Sequence, residues 1–445
     1  MRFHNRIYTR QIRNLLGSML LLAPSLYGPA RAEVDPTQAY QLLKQDVLIN
    51  ADYWESKPRI LGAGLGFTRI LGVPGAEVSE EGKRRVLAEG GSWEILGTSN
   101  PAPPLRAYTS AANPQGMAVA FGVPVKFGSG LPVEFSWPVL PSSVDPTDFR
   151  ITLSNGKKVT PEAASISPNL EYNERSTVVL VGSFGNRITP GEAGAVYPVK
   201  LSIVEDDTPL TMVGPAGVRK SAVGLSFGDG SAPMTGYKVG PKLCAAKLSV
   251  LSAQGEGGPA PFDGGLMPND GVALYGEGVK YRLRVLTTGG FSPDGVRSLY
   301  PTEYSSFFRI RVKDSAGKIT WLTKTAKTYA VKDGVIRILG MADLGVSHDA
   351  YNDAYVEDHD NQIDIILEGD EAAMRRITHI EAPSTAPYSP FYNPGGPGND
   401  PTPGVRYTKP SPYIRQAVKI AIDDPMSVTL VQPSIVKNPG DSSPP

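Results

Sequence analysis

The sequence predicts an all-β chain of tandem β-sandwich domains with a short N-terminal helical segment. Three observations carry that prediction. Gly and Pro number 48 and 41 of 445 residues, one residue in five, against about 7% and 5% in an average chain, so turns are over-supplied and long helices under-supplied. Apolar residues fall in short runs bounded by Gly and Pro, the punctuation of strands and tight turns. Tyr281-Arg-Leu283-Arg-Val285 and Phe308-Arg-Ile310-Arg-Val312 alternate with period two, apolar inward and Arg outward. The same composition excludes other classes. There is no G-X-Y period for collagen, the 40% hydrophobic content is too high for a disordered chain, and sustained heptads are missing.

Taken in order, residues 1–32 read as a secretory signal peptide. Arg2, Arg6, Arg10 and Arg13 precede the apolar run 15–24, and Ala30-Arg31-Ala32 supplies an A-x-A site with cleavage before Glu33. That run is far shorter than the roughly 20 residues a bilayer needs. The expectation is therefore a secreted or periplasmic protein with no transmembrane segment. Without the five Arg of the leader, 39 bases face 44 acids, a net charge of −5. No basic stripe is visible, so no nucleic-acid partner is expected. Cys244 stands alone; no intrachain disulfide is possible, and its place at the start of a strand suits an inert, buried thiol.

Residues 33–114 are expected to hold a helix, with Asp35 and Pro36 at its start and Tyr40, Leu42, Leu43 and Val47 on one face, then short strands at 59–61, 68–73 and 93–96. Gly62-Ala-Gly64-Leu-Gly66 matches a phosphate loop in glycine spacing only, since no βαβ unit follows. Residues 115–235 form a first sandwich, opening on the apolar run 117–123 and continuing through strands at 178–181, 197–204 and 222–227, with a hairpin turn at Asn155-Gly156. Residues 236–382 form a second, with strands at 243–251, 281–286, 307–312, 319–322 and 335–339. Residues 383–445 hold a Pro/Tyr-rich strap, last strands at 417–422 and 428–431, and a loose tail.

One phrase carries a resemblance. Pro132-Val-Glu-Phe135-Ser-Trp-Pro138-Val139, followed by Asp145-Pro146-Thr-Asp148-Phe149-Arg-Ile151-Thr-Leu153 and the turn at Asn155-Gly156, resembles the start of a bacterial Ig-like domain of the surface-layer type. It spans about residues 115–210, and Leu140-Pro141-Ser142-Ser143 departs from the commonest spacing. The resemblance implies that Phe135 and Phe149 enter the core, and that the module is a spacer or adhesive unit rather than a catalyst.

Chemistry has few places to sit. Between Arg337 and Arg375 there is no Lys or Arg, while ten acids fall in the 29 residues from Asp343 to Glu371. Such crowding repels itself unless solvent, salt or a bound cation screens it. Asp358, Asp360 and Asn361, with Asp364 just beyond, offer the oxygen ligands that calcium takes. An EF-hand is excluded, because Ile363 stands where Gly is needed and Gly369 where Glu is needed. His348 and His359 lie inside the block and His379 just after it. If strand 363–367 returns antiparallel through 374–380, Asp364 faces His379 at about 5 Å, close enough for an Asp–His pair or two ligands of one metal. A solvated strand edge, a calcium site, and a transition-metal or catalytic site all remain open.

The strap from Pro383 to Tyr413 interleaves nine prolines with Tyr388, Phe391, Tyr392 and Tyr407. It either packs its tyrosines inward or offers Tyr388, Tyr392 and Tyr407 to a ligand, of which a carbohydrate is the natural class. No G-x-S-x-G, H-E-x-x-H, P-loop or C-x-x-C occurs. Two functions follow as expectations. One is an exported, non-enzymatic binding or structural protein, stabilised by calcium, with a carbohydrate or cell-surface ligand. The other is a secreted hydrolase of carbohydrates or esters using His348, His359 or His379 with Asp364.

Overall fold

The computed structural model describes residues 40–93, 109–234, 242–251, 271–389, 391 and 414–431, less 42, 170, 290–291, 293–295, 297, 344, 348–354, 358–360, 384 and 424–426. The expected signal peptide lies outside these residues. The described chain is mainly strand, arranged as two sandwich-like pairs of sheets. No helix among the described residues is long and apolar enough to cross a membrane.

In the first sandwich, Gly128–Phe135 is the centre of a five-stranded sheet. Thr177–Gly182 and then Ala163–Ser165 lie to one side, and Ile60–Ala63 and Phe67–Leu71 pair along the other. The facing sheet has the order Ser226–Phe227, Pro198–Ile203, Phe149–Leu153, Lys158–Val159. Alternate residues from both sheets build one core, with Leu131, Val133, Phe135 and Leu180 meeting Phe149, Ile151, Leu201 and Ile203. Asn155-Gly156 makes the expected hairpin turn: Gly156 takes φ +81°, and the Asn155 side chain accepts the Lys157 N–H.

Two elements differ from the sequence reading. The apolar run 117–123 is not a strand but the end of a helix, Pro114–Phe121. Asn113 caps it by accepting the Gly116 N–H at 2.7 Å, Pro114 occupies its first turn, and Gly122 closes it in the left-handed region. A helix buried on most sides shows the same unbroken apolar run as a buried strand, so its caps and not its periodicity identify it. A second helix, Glu80–Ala88, was not anticipated, although Ser79 caps it at Gly82 and Glu80 and Glu81 complement its N-terminal dipole.

The second sandwich pairs a six-stranded sheet with a four-stranded one. The first has the order Thr328–Val331, Gly334–Ala342, Gln362–Gly369, Tyr281–Thr287, Leu243–Val250, Lys419–Ile420. Its last pairing is parallel and the others antiparallel. The other sheet, called the Arg309 sheet below, has the order Ile319–Leu322, Arg309–Lys313, Ile377–Ala382, Ile414–Ala417. Leu283, Val285, Ile338 and Ile365 face Ile310, Val312, Leu322 and Ile380 across the core.

The expected domain limits are blurred at both ends. Strands before residue 115 complete the first sandwich, and Ile414–Ala417 and Lys419–Ile420 complete the two sheets of the second. Ser427–Leu430 then pairs antiparallel with Leu48–Asp52, and Val428 and Leu48 are buried with Leu140 and Val213.

Two substitutions test the local readings. Asn113→Ala should cost about 1 kcal/mol by urea denaturation, the usual worth of an N-cap. Gly72→Ala should cost more, because Gly72 sits at φ +83° and a Cβ there would lie 1.8 Å from the Val125 carbonyl oxygen.

Candidate functional site

Of the residues singled out in the sequence, His348, Asp358, His359, Asp360, Tyr392 and Tyr407 lie outside the described residues. Asn361, Asp364, His379 and Tyr388 lie within them. The expected Asp364–His379 pair does not form. Asp364 is in the six-stranded sheet, opposite Arg284 and Ala342, whereas His379 is in the Arg309 sheet, opposite Arg311 and Ala417. The short helix Glu371–Met374 carries the chain across the sandwich instead of folding it back as a hairpin. Nor is Gln362–Gly369 a solvated edge, since it runs between two longer-range partners in the middle of its sheet.

Asp364 belongs to a buried ionic network. Lys247, Arg284 and Asp364 are cross-strand neighbours on the face of the six-stranded sheet that points away from its own core. Arg284, 0% exposed, donates from Nε and Nη2 to the two oxygens of Asp364 at 2.7 and 2.9 Å. It also reaches Asp343 at 2.7 Å and Asp52 at 3.3 Å. Asp52 arrives from the strand Leu48–Asp52 and is also held by Lys247 and, at 3.5 Å, by Arg282. With its amide turned so that the oxygen faces Arg284, Asn173 accepts from the same guanidinium at 2.9 and 3.1 Å. Trp54, Ala245 and Leu286 pack as an apolar cluster on the same contact.

Three carboxylates thus meet three cations away from water. Both Asp364 oxygens are engaged by Arg284, which is chemistry that competes with calcium ligation. Other described acids of the block are also engaged: Glu368 pairs with Arg337 of the neighbouring strand at 2.8 Å, Glu371 with Arg375 one helical turn on at 2.7 Å, and Asp370 accepts the Val335 N–H at 2.9 Å. Among the described residues no three His, Cys, Asp or Glu side chains gather as a metal site.

Asn361 bridges the two sandwiches. Its amide nitrogen donates to Glu134 Oε1 at 3.0 Å and to the Thr287 carbonyl at 2.9 Å. Glu134, in the centre of the five-stranded sheet, is fully buried, and Oε2 has no hydrogen-bond partner among the described residues. Burial pushes its pKa up to about 8, against the smaller opposing effect of its hydrogen bonds. Burial also raises the Cys244 thiol well above its usual range, which leaves it without the thiolate a nucleophile needs.

The outward face of the Arg309 sheet is different in kind. Arg309, Arg311 and Lys313 alternate outward along Arg309–Lys313 while Ile310 and Val312 fill the core. Arg309 lies over the rings of Trp321 and Tyr388, at 4.3 and 6.0 Å from their centroids. Glu381, 0% exposed, receives Arg309 from one neighbouring strand at 2.7 Å and Arg415 from the other. A β-bulge between the Arg311 and Val312 pairings sets Thr378 aside. Its hydroxyl accepts from Arg311 Nη1 at 2.9 Å and donates to the Arg311 carbonyl at 3.1 Å, which fixes that guanidinium in place.

His379 sits in the next row, facing Arg311. Burial first, and then the charges of Arg311 and Arg415, lower its pKa. Its Nδ1 is buried with no partner among the described residues. Two of the sequence candidates, His379 and Tyr388, therefore come together here. Trp321, Arg415 and Glu381 were not foreseen. The only advance signal was the outward alternation in Phe308-Arg-Ile-Arg-Val.

Fold and site together define an all-β protein of two packed sandwich-like units with one cationic, aromatic sheet face. Beyond that class, the chain matches no protein family, no curated protein and no solved structure with which it was compared.

Removing one member of the ionic network should leave buried charge uncompensated, so Asp364→Ala should destabilise the protein by about 3–5 kcal/mol in urea denaturation. Glu134→Gln should act with the opposite sign and depend on pH. Because the folded-state pKa is raised, wild type carries a proton that it must lose or keep at a cost as pH climbs from about 4.5 to about 8. The variant should match wild type near pH 4 and gain on it by up to about 1.4 kcal/mol per pH unit, levelling off above pH 8. Unfolding curves measured across that range that stay parallel would rule this out.

Proposed function

We propose that this chain is an exported, non-enzymatic β-sandwich binding protein whose Arg309 sheet presents its outward face to a carbohydrate ligand of a cell surface. The observation that carries this reading is the arrangement of Trp321, Arg309 and Tyr388 on that face, with the arginine braced from below by buried Glu381. Aromatic and Arg side chains dominate recognition surfaces, because they offer large contact area with little conformational entropy to lose. The leader at residues 1–32 supports export. The Ig-like resemblance over residues 115–210 supports a spacer role for the first sandwich. The burial of Phe135 and Phe149 in its core is compatible with that role.

Hydrolysis is the weaker reading. A general-base histidine is normally oriented by a carboxylate. His379 instead faces two arginines, Asp364 is committed to Arg284 in the other sheet, and Glu381 is engaged by Arg309 and Arg415.

A glycan array followed by calorimetry on the best saccharide tests the proposal. Trp321→Ala should weaken binding by about 30-fold, the worth of a truncated aromatic anchor, with an unchanged circular dichroism spectrum. Saccharide binding that survives both Trp321→Ala and Tyr388→Ala would overturn it, as would steady turnover of a bound glycan or ester.

A further inference from the structure

We infer that the ligand of the Arg309 face is an acidic polysaccharide carrying carboxylates along its length, a uronate polymer in chemical class. This inference rests on the binding reading above and narrows it.

The charge on the face is one-sided. Its strands present Arg309, Arg311, Lys313 and Arg415 outward, and the one carboxylate they contribute is Glu381. Glu381 lies beneath the surface and is shared by two arginines, so it orients them without cancelling the face. Arg311 has no carboxylate partner among the described residues; its described side-chain bond is to the neutral Thr378 hydroxyl. Several arginines elsewhere in the molecule do find acids, although buried Arg187 donates to the Thr68 carbonyl instead. Arg282 and Arg284 meet Asp52, Asp343 and Asp364, Arg337 meets Glu368, and Arg375 meets Glu371 and Asp423. The chain as a whole has as many acids as bases, so the cations of this face are a local excess.

The spacing suits a repeating anion. Outward residues on a strand are about 7 Å apart, and Arg309, Arg311 and Lys313 form a row of three. Guanidinium groups take carboxylates by paired, charge-assisted hydrogen bonds. The Thr378 bulge holds Arg311 in one geometry before any ligand arrives, which lowers the cost of ordering it on binding. Trp321, opposite Arg311 on the next strand, and Tyr388, beside Arg309, add aromatic ring surface for the C–H faces of sugars. A single-stranded nucleic acid shares the need for cations and rings, but an exported protein meets acidic glycans rather than nucleic acid as its usual polyanions.

The experiment uses the full chain and three probes: polygalacturonate, a neutral cello-oligosaccharide and oligo-deoxythymidylate, each titrated at low and high salt. Polygalacturonate should bind best and weaken as salt rises. Arg311→Gln should weaken it by about tenfold, and Lys313→Gln, at an exposed position, by a smaller factor. If the neutral oligosaccharide binds as tightly and remains sensitive to Trp321→Ala, the uronate assignment fails while the carbohydrate reading stands. If no saccharide binds, both fail. If oligo-deoxythymidylate binds as tightly as polygalacturonate with the same Arg311 dependence, the face is a nucleic-acid site and the assignment to a glycan is overturned.

Discussion

The architecture depends on one guanidinium. Arg284 is removed from water, and its charge is tolerable only because Asp52, Asp343 and Asp364 converge on it with Lys247 and Arg282 alongside. Such a cluster contributes little net stability, because the desolvation of each charge offsets most of the attraction. What it supplies here is a requirement. Asp52 comes from the N-terminal part of the chain and the other members from the second sandwich, so the network is complete only when both are docked in one register. Asn361 adds a second tie, joining Glu134 of the first sandwich to Thr287 of the second.

That docking decides the fate of two nearly identical sequence patterns. Tyr281-Arg-Leu-Arg-Val and Phe308-Arg-Ile-Arg-Val alternate alike, and both turn their arginines away from the core of the second sandwich. The first pair is covered by residues from the N-terminal half and is buried, whereas the second remains half-exposed. Burial forces every arginine of the first pair to find acids. Exposure relaxes that requirement, and a cationic surface results on which Arg311 meets no carboxylate among the described residues.

These outcomes explain how far the sequence could be read. Strands such as Ile319–Leu322 and Gln362–Gly369 and the Asn155-Gly156 turn depend on local alternation and turn chemistry, and their positions were legible. The helix Pro114–Phe121 was misread because its apolar run outweighed the caps at Asn113 and Gly122, which are single residues at its ends. The acidic block was the hardest case. It contains no cation of its own, so a local reading supplies solvent or calcium, whereas Asp364 takes its counter-charge from 80 residues away. The Arg309 face was half legible for the same reason. Outward arginines follow from alternation, but Trp321, Glu381 and Arg415 are brought beside them from three other strands.

The pairing of Leu48–Asp52 with Ser427–Leu430 has a mechanical consequence. Leu48 lies opposite Leu430 and Asp52 opposite Ser427, so the chain before the first strand and the chain after the second leave from the same end of the ribbon. Tension applied along those two outgoing segments loads the hydrogen bonds one rung at a time, as a zipper, instead of all together in shear. The irregular register between Leu48 and Ala51 stands at the end where peeling begins. In an optical-trap pull through the two ends, this ribbon would be the first part to open, at low force, with the sandwich cores still intact behind it.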